Sequence, residues 1–154
     1  KLLYSYLKKK KFKVCQIDGD SFRKKKIYKN SFTKNNIIKN NYKIINFIRK
    51  IINKYDFIIV SVISPLKITR LKAKKVFGLN YQEVFLNPSL KVLKLRDTKN
   101  LYSKADKGII KNVIGYKSKI SYEKSKYRKI VIDTGKVSVL KSKDIILNKI
   151  IKWK

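Results

Sequence analysis

Apolar positions along the chain recur with two periods, and those periods lay out alternating helices and strands. LLYSYLKKK places Leu2, Leu3, Tyr6 and Leu7 on one helical face, so an amphipathic helix opens the chain. FKVCQI reads as a short buried strand ending at an Asp-Gly-Asp turn, and a lysine- and asparagine-rich connection follows over residues 24–36. A second amphipathic helix is expected over about 37–54, where Ile38, Ile44, Ile45, Ile48 and Ile52 fall near helical spacing. FIIVSVI, residues 57–63, is a continuous run rich in β-branched residues, the pattern of a strand buried on both faces. Pro65 stops it and LKITRLKAKKVF continues as a helix. YQEVFLN is the next strand, and Pro88 opens a helix through about Arg96. Residues 97–127 are polar and basic with few apolar anchors, which predicts a mobile excursion with short helical turns. KIVIDT is the last strand. KSKDIILNKIIKW closes the chain as a helix, with Ser142 expected as its cap and Ile146, Ile150 and Trp153 on its buried side.

Strands alternating with helices of this length imply βαβ units and a mostly parallel sheet. The expectation is one α/β domain spanning residues 1–154. In such sheets ligands bind at the carboxyl ends of the strands. Three loops sit there: DGDSFR after the first strand, SPLK after the second, and the segment after Asn87-Pro88 in the third.

Each of these has a plain reading and a chemical one. Asp-Gly turns are common, so Asp18-Gly19-Asp20 is compatible with a bare turn. At a strand's carboxyl end the same carboxylates can accept a proton from a hydroxyl or hold Mg²⁺, and Arg23 can clamp a phosphate. Ile63-Ser64-Pro65 is either a strand stop or a loop whose hydroxyl and amides face a ligand. RDTKNLYSKA, residues 96–105, is either a solvated helix surface or the head of a lid whose lysines meet phosphates.

Composition changes the picture less than its extremity suggests. The formal charge is +32, from 41 basic residues against 9 acidic ones, and a lysine field of that size attracts polyanions. The lysines are spread over the whole chain, however, and only five of the basic residues are arginine, the residue that clamps phosphate and reads bases bidentately. Lys, Asn, Ile and Tyr are inflated together, as an A/T-rich genome would produce. A basic nucleic-acid-binding module is therefore an alternative that the composition allows and the motifs disfavour. The single cysteine, Cys15, excludes an internal disulfide and fits a reducing, cytoplasmic setting, with a small buried strand residue as its expected role. With no histidine a zinc site is excluded. No apolar run approaches the roughly 18 residues that span a bilayer.

In order along the chain, IDGDSFR (17–23), SFT (31–33), VISPLKITR (62–70), YQEVFLNPSLKVLKLRDTKNLYSKA (81–105), KGIIKNVIGYKSKISYE (107–123) and VIDTG (131–135) resemble the adenylyl-sulfate kinase family. Its pattern runs LDGDNVR, GFS, ISPxRxxR, FxEVYVxxPLxxCxxRDxKGLYKKA, GxIKxFTGIDxPYE and a DT strand. The resemblance covers most of the chain. It implies a P-loop NTPase-like three-layer fold and ATP-dependent phosphorylation of the 3′-hydroxyl of adenylyl sulfate, giving 3′-phosphoadenylyl sulfate in sulfate assimilation. It implies Asp18 as the carboxylate nearest the reacting hydroxyl, in a Mg²⁺-binding or proton-accepting role. Asp20 and Arg23 would bind adenylyl sulfate, Phe32 would stack on its adenine, and Asn40 would contact the same substrate. Ile63 and Ser64 would line the site, with Ser64 matching a serine proposed in the family as a phosphorylated intermediate. Lys99 would reach phosphate or sulfate from a lid over about residues 97–127. A homodimer, and a sulfate adenylyltransferase as fusion or partner, are also implied.

The departures from the family pattern lie in its cations and its first strand. Ile37, Tyr42 and Lys43 stand where the family carries arginines of a substrate clamp, Lys67 replaces another, and Val113 replaces the second phenylalanine of the adenine sandwich. Lysine keeps arginine's charge but not its planar fork. The family's first strand and its GxxGxGKST phosphate loop fall before Lys1. The expectation is thus a truncated kinase domain that alone binds ATP weakly and transfers no phosphate, with a degenerate kinase remnant as the alternative.

Overall fold

In the computed structural model, residues 1–24, 33–124 and 129–151 are described. They divide into two compact units, Lys1–Gly78 and Leu79–Lys154.

The first unit opens with α1 (Leu2–Lys9), whose Leu7 is fully buried. It leads into β1 (Val14–Asp18), which pairs in parallel with β2 (Phe57–Ser61) in the register Val14↔Phe57 to Asp18↔Ser61. The entrance of the pair is locked three ways. The Lys13 carbonyl accepts the amides of Asp56 and Phe57, the Lys13 amide donates to Asp56 Oδ2, and the Phe12 and Phe57 rings meet edge to face at 5.0 Å. Between the strands run a short helix α2 (Gly19–Lys24), the long helix α3 (Lys34–Ile51) and a single 3₁₀ turn. Thr33 caps α3 by accepting the Asn36 amide, so the helix starts three residues earlier than its apolar spacing indicates.

The buried side of α3 carries Ile44 and Ile48 against Ile17 of β1, with Phe22, Ile58, Val62 and Phe77 around them. Cys15 is half-buried rather than buried. It packs on this cluster, and the desolvation raises its thiol pKa. Helix α4 (Lys67–Phe77) follows β2 and ends at Gly78, whose φ of +57° suits a residue without a side chain.

The second unit holds β3 (Val84–Leu86) and β4 (Ile130–Ile132), again parallel, with Val84↔Ile130 to Leu86↔Ile132 in register. Between them come α5 (Leu90–Arg96), which starts two residues after Pro88 and is capped by Ser89, and α6 (Leu101–Asp106). The closing helix α7 (Val139–Ile150) is capped by Ser138, not Ser142. Ser142 is one turn inside the helix and buried, and its hydroxyl donates to the Ser138 carbonyl. Leu147 is the deeply buried apolar residue of α7, while Ile146 and Ile150 are half-buried and Trp153 lies outside the described residues.

Both strand pairs are parallel and each strand feeds a helix, as the alternation requires. The strands are shorter than their apolar runs, since β2 ends at Ser61 and leaves Val62 and Ile63 beyond the ladder. No helix among the described residues is long and apolar enough to cross a membrane.

Candidate active site

The in-register pairing of β1 and β2 sets Asp18 beside Ser61, so the chain leaves both strands at the same edge of the first unit. Gly19 then turns into α2 in very little space. A Cβ at that position would lie 2.8 Å from Val62 Cγ1 and 3.3 Å from the Ser61 carbonyl oxygen. The missing side chain is what lets the DGD loop pack directly on the segment leading to Ser64. Gly19 is buried while Asp18 and Asp20 on either side are exposed, so one buried glycine presents two carboxylates outward.

Asp18 Oδ1 accepts the Ser21 amide at 2.8 Å, which caps α2 and fixes that carboxylate's orientation. Helix α2 carries Asp20 in its first turn and Arg23 in its second. Phe22 pins the helix down, packed on the Ile17–Ile44–Ile48 cluster with the Phe47 ring 5.7 Å away. The local sequence thus alternates anchors and chemical groups: Gly19 and Phe22 hold, Asp18 and Asp20 project, and Arg23 lies half-buried with its Nε out of solvent.

Beyond β2, Ile63 is largely exposed and Ser64 is half-buried. The turn into α4 is held by the helix's own first residues. Arg70, itself buried, donates through Nη1 to the carbonyls of Ser64 (2.6 Å) and Pro65 (2.9 Å). The Thr69 hydroxyl lies 2.8 Å from both Ser64 Oγ and the Leu66 carbonyl. Gly19, Thr69 and Arg70 are structural participants that sequence reasoning passed over. A signal for Arg70 existed: it is one of five arginines in a lysine-rich chain and it closes the ISPLKITR stretch.

Asp18, Asp20, Arg23, Ile63 and Ser64 are therefore brought to one end of the β1–β2 pair. Asn40 is half-buried on α3, one turn before Ile44, which packs against Ile17. Phe32 lies outside the described residues. Lys99 belongs to the second unit, exposed between α5 and α6.

Charge in the second unit is organised around two aspartates. Asp97 accepts the amides of Leu101, Tyr102 and Ser103. Burial pushes its carboxyl up, but the three N–H groups prevail and lower it. Arg96 donates to the hydroxyl and carbonyl of Thr134, which ties the end of α5 to the segment after β4. Asp106 accepts from Lys94 at 2.8 Å and from the Tyr116 hydroxyl, with Lys117 Nζ 3.4 Å away. The Lys94 and Tyr116 hydrogen bonds hold the Asp106 carboxyl down at about 2.

Residues 1–133 match the family profile described as adenylylsulphate kinase. A probable adenylyl-sulfate kinase of Pyrococcus abyssi is 31% identical over 90% of this chain and 78% of its own length. A probable adenylyl-sulfate kinase of Archaeoglobus fulgidus is 32% identical over 87% of this chain and 84% of its own. The adenylyl-sulfate kinase of a Synechococcus strain is 33% identical, over 67% of this chain and 57% of that relative. The fold is also that of the Mycobacterium tuberculosis APS kinase CysC, solved in complex with AMPPNP and APS, with a TM-score of 0.82 over 96% of this chain and 85% of that one at 24% identity. With a family match over nearly its whole length and a P-loop kinase architecture around the DGD and ISP loops, this chain belongs to the adenylyl-sulfate kinase family of phosphotransferases.

Proposed function

We propose that the chain phosphorylates the 3′-hydroxyl of adenylyl sulfate from ATP, and that the end of the β1–β2 pair is its substrate side. One observation carries this most: Gly19 packs on Ser61 and Val62 and so gathers Asp18, Asp20 and Arg23 with Ile63 and Ser64. Phosphoryl transfer needs little covalent chemistry from the protein, and positioning with charge compensation does most of the catalysis.

Each residue has a task suited to its place. Asp18, held by the Ser21 amide, orients the attacking hydroxyl and accepts its proton as the O–P bond forms. Arg23, one turn into α2, offers the planar fork that matches sulfate or phosphate oxygens, and Asp20 accepts from a substrate hydroxyl or amine. Ile63 and Ser64 form the facing wall, one apolar and one able to hydrogen-bond. Asn40 adds amide contacts from α3. ATP carries Mg²⁺, a hard cation that takes carboxylate oxygen, and as the alternative to its proton-accepting role the exposed Asp18 carboxylate would fit as one protein ligand. The ion would neutralise charge on the transferred phosphate.

The test is calorimetric binding of adenylyl sulfate to residues 1–154. It is paired with a radiolabel transfer assay on the chain joined to an upstream GxxGxGKST loop. Binding that Arg23→Ala abolishes, together with a 3′-phosphorylated product, is the expected result. Binding indifferent to Arg23, or label appearing on another acceptor in preference, overturns the reading.

A further inference from the structure

The hydroxyls of Ser64 and Thr69 can be ordered by elimination. Thr69 has one hydroxyl proton, and it goes to the Leu66 carbonyl at 2.8 Å. The 2.8 Å contact between Thr69 Oγ1 and Ser64 Oγ therefore has Ser64 as donor. The chain Ser64 Oγ–H to Thr69 Oγ–H to Leu66 C=O is fixed at its inner end, where Thr69 is 1% exposed. Arg70 fixes the backbone of the same turn by holding the Ser64 and Pro65 carbonyls from a buried position. Main chain and side chain of Ser64 are thus held from α4 by two neighbouring residues.

We propose that Thr69 and Arg70 are positioning residues for Ser64: they lock it in one rotamer with its proton turned inward and its oxygen lone pairs outward. Ser64 then meets a ligand as a hydrogen-bond acceptor with a pre-set direction, suited to a hydroxyl or amine donor on the substrate. It is a poor nucleophile in that state, because its proton is committed to Thr69. The proposal rests on the reading of Ser64 as a substrate-facing residue, and its test separates the two.

The experiment has two arms, both on the full chain, with thermal midpoints recorded for every variant. Side-chain NMR couplings of Ser64 without ligand report its rotamer. A single rotamer in the wild type that becomes averaged in Thr69→Val supports the lock, and a single rotamer kept in Thr69→Val overturns it. Adenylyl sulfate affinity is then measured by calorimetry. Thr69→Val is expected to weaken it about five- to tenfold, the scale of one lost hydrogen bond. Thr69→Ser should stay within about twofold, since the hydroxyl is retained. Arg70→Lys should weaken binding because an ammonium does not reproduce the fork across two carbonyls. The Ser64→Ala/Thr69→Val double variant should be no weaker than Ser64→Ala alone, because Thr69 acts through Ser64. Multiplied losses in the double variant point to a general packing role for Thr69 and overturn the proposal. A wild-type chain that binds no adenylyl sulfate sinks the substrate reading by itself, and the rotamer arm still decides the lock.

Discussion

Gly19 and Val62 approach so closely that a methyl on the first would sit 2.8 Å from a methyl of the second. Two motifs more than 40 residues apart in sequence therefore share one steric constraint. Gly19→Ala is expected to force the DGD loop away from β2, at about 1–3 kcal/mol for overpacking a tight contact. Val62→Ala removes the nearer methyl and should recover part of that loss, while the Ser61 carbonyl at 3.3 Å keeps the rescue incomplete. Urea unfolding of the two single variants and the double measures the coupling. Strict additivity of the two substitutions would show that the contact is not what holds the loop.

The alternating anchors and chemical groups of the DGD helix separate binding from turnover. Arg23→Lys keeps the charge and loses the fork, so adenylyl sulfate should bind about tenfold more weakly, as expected for one bidentate contact reduced to a single one. Asp18→Asn keeps the shape and the Ser21 cap acceptor. It should leave binding within about threefold and lower turnover by 10²-fold or more, as removal of a general base does. Calorimetry and initial rates of phosphate transfer on the chain carrying an upstream phosphate loop give the two numbers. Equal losses in both quantities for Asp18→Asn would move that carboxylate from catalysis to substrate binding.

Much of the fold was legible because the apolar residues carry the period themselves. Leu7, Ile44 and Ile48 fall at helical spacing and are buried where that spacing puts them. Asp18, Asp20, Arg23 and Ser64 were legible as a set because a strand's carboxyl end is where α/β folds present ligand groups. What escaped has a common cause. The start of α7 was misplaced because Val139 and Leu140 are exposed in the structure, so its first turn lacks the amphipathic contrast that marks a helix. The Ser138 cap went unseen for the same reason. β2 ends early because its partner β1 stops at Asp18, where the chain turns into α2, and the Asp106 cluster joins residues 10 to 12 apart across aperiodic chain. Neither leaves a trace in local pattern.

Asp97 replaces a cap residue at a position where the backbone supplies none. Its two oxygens take the first three amides of α6, while Asn100, just before the helix, makes no side-chain cap. Asp97→Ala should leave those donors to water and speed amide exchange at Leu101, Tyr102 and Ser103 relative to α5. Asp97→Asn retains one acceptor and should fall between. Exchange followed residue by residue checks this. Unchanged protection at all three amides would mean that α6 is held by its packing at Ala105, which is 2% exposed.

Asp106 gathers Lys94 of α5 and Tyr116 and Lys117 of the segment beyond α6, so it staples that segment to two helices. Its carboxyl is held at about 2 by the Lys94 hydrogen bond first and the Tyr116 hydroxyl second, and Lys94 is raised in turn by Asp106. An unfolded aspartate titrates near roughly 3.9. The folded value is the lower one, so the staple contributes fully above that pH and is lost as pH falls through about 2. On the alkaline side the raised Lys94 keeps its proton past the ordinary lysine range, so the contact should persist there until that proton leaves. The carboxyl carbon shift of Asp106, followed by NMR between pH 6 and the acid limit, should show a midpoint well below the ordinary aspartate value. Lys94→Ala should move that midpoint up more than Lys117→Ala does, because the hydrogen bond outranks the 3.4 Å ion pair. Trypsin cleavage after the exposed Lys107 and Lys111 at neutral pH should quicken in Asp106→Asn, since the freed segment can extend into the protease. An unshifted midpoint in Lys94→Ala, with cleavage unchanged in Asp106→Asn, would leave Asp106 as an ordinary surface carboxylate and assign the order of residues 107–120 to the tilted ring contact of Tyr102 with Tyr116.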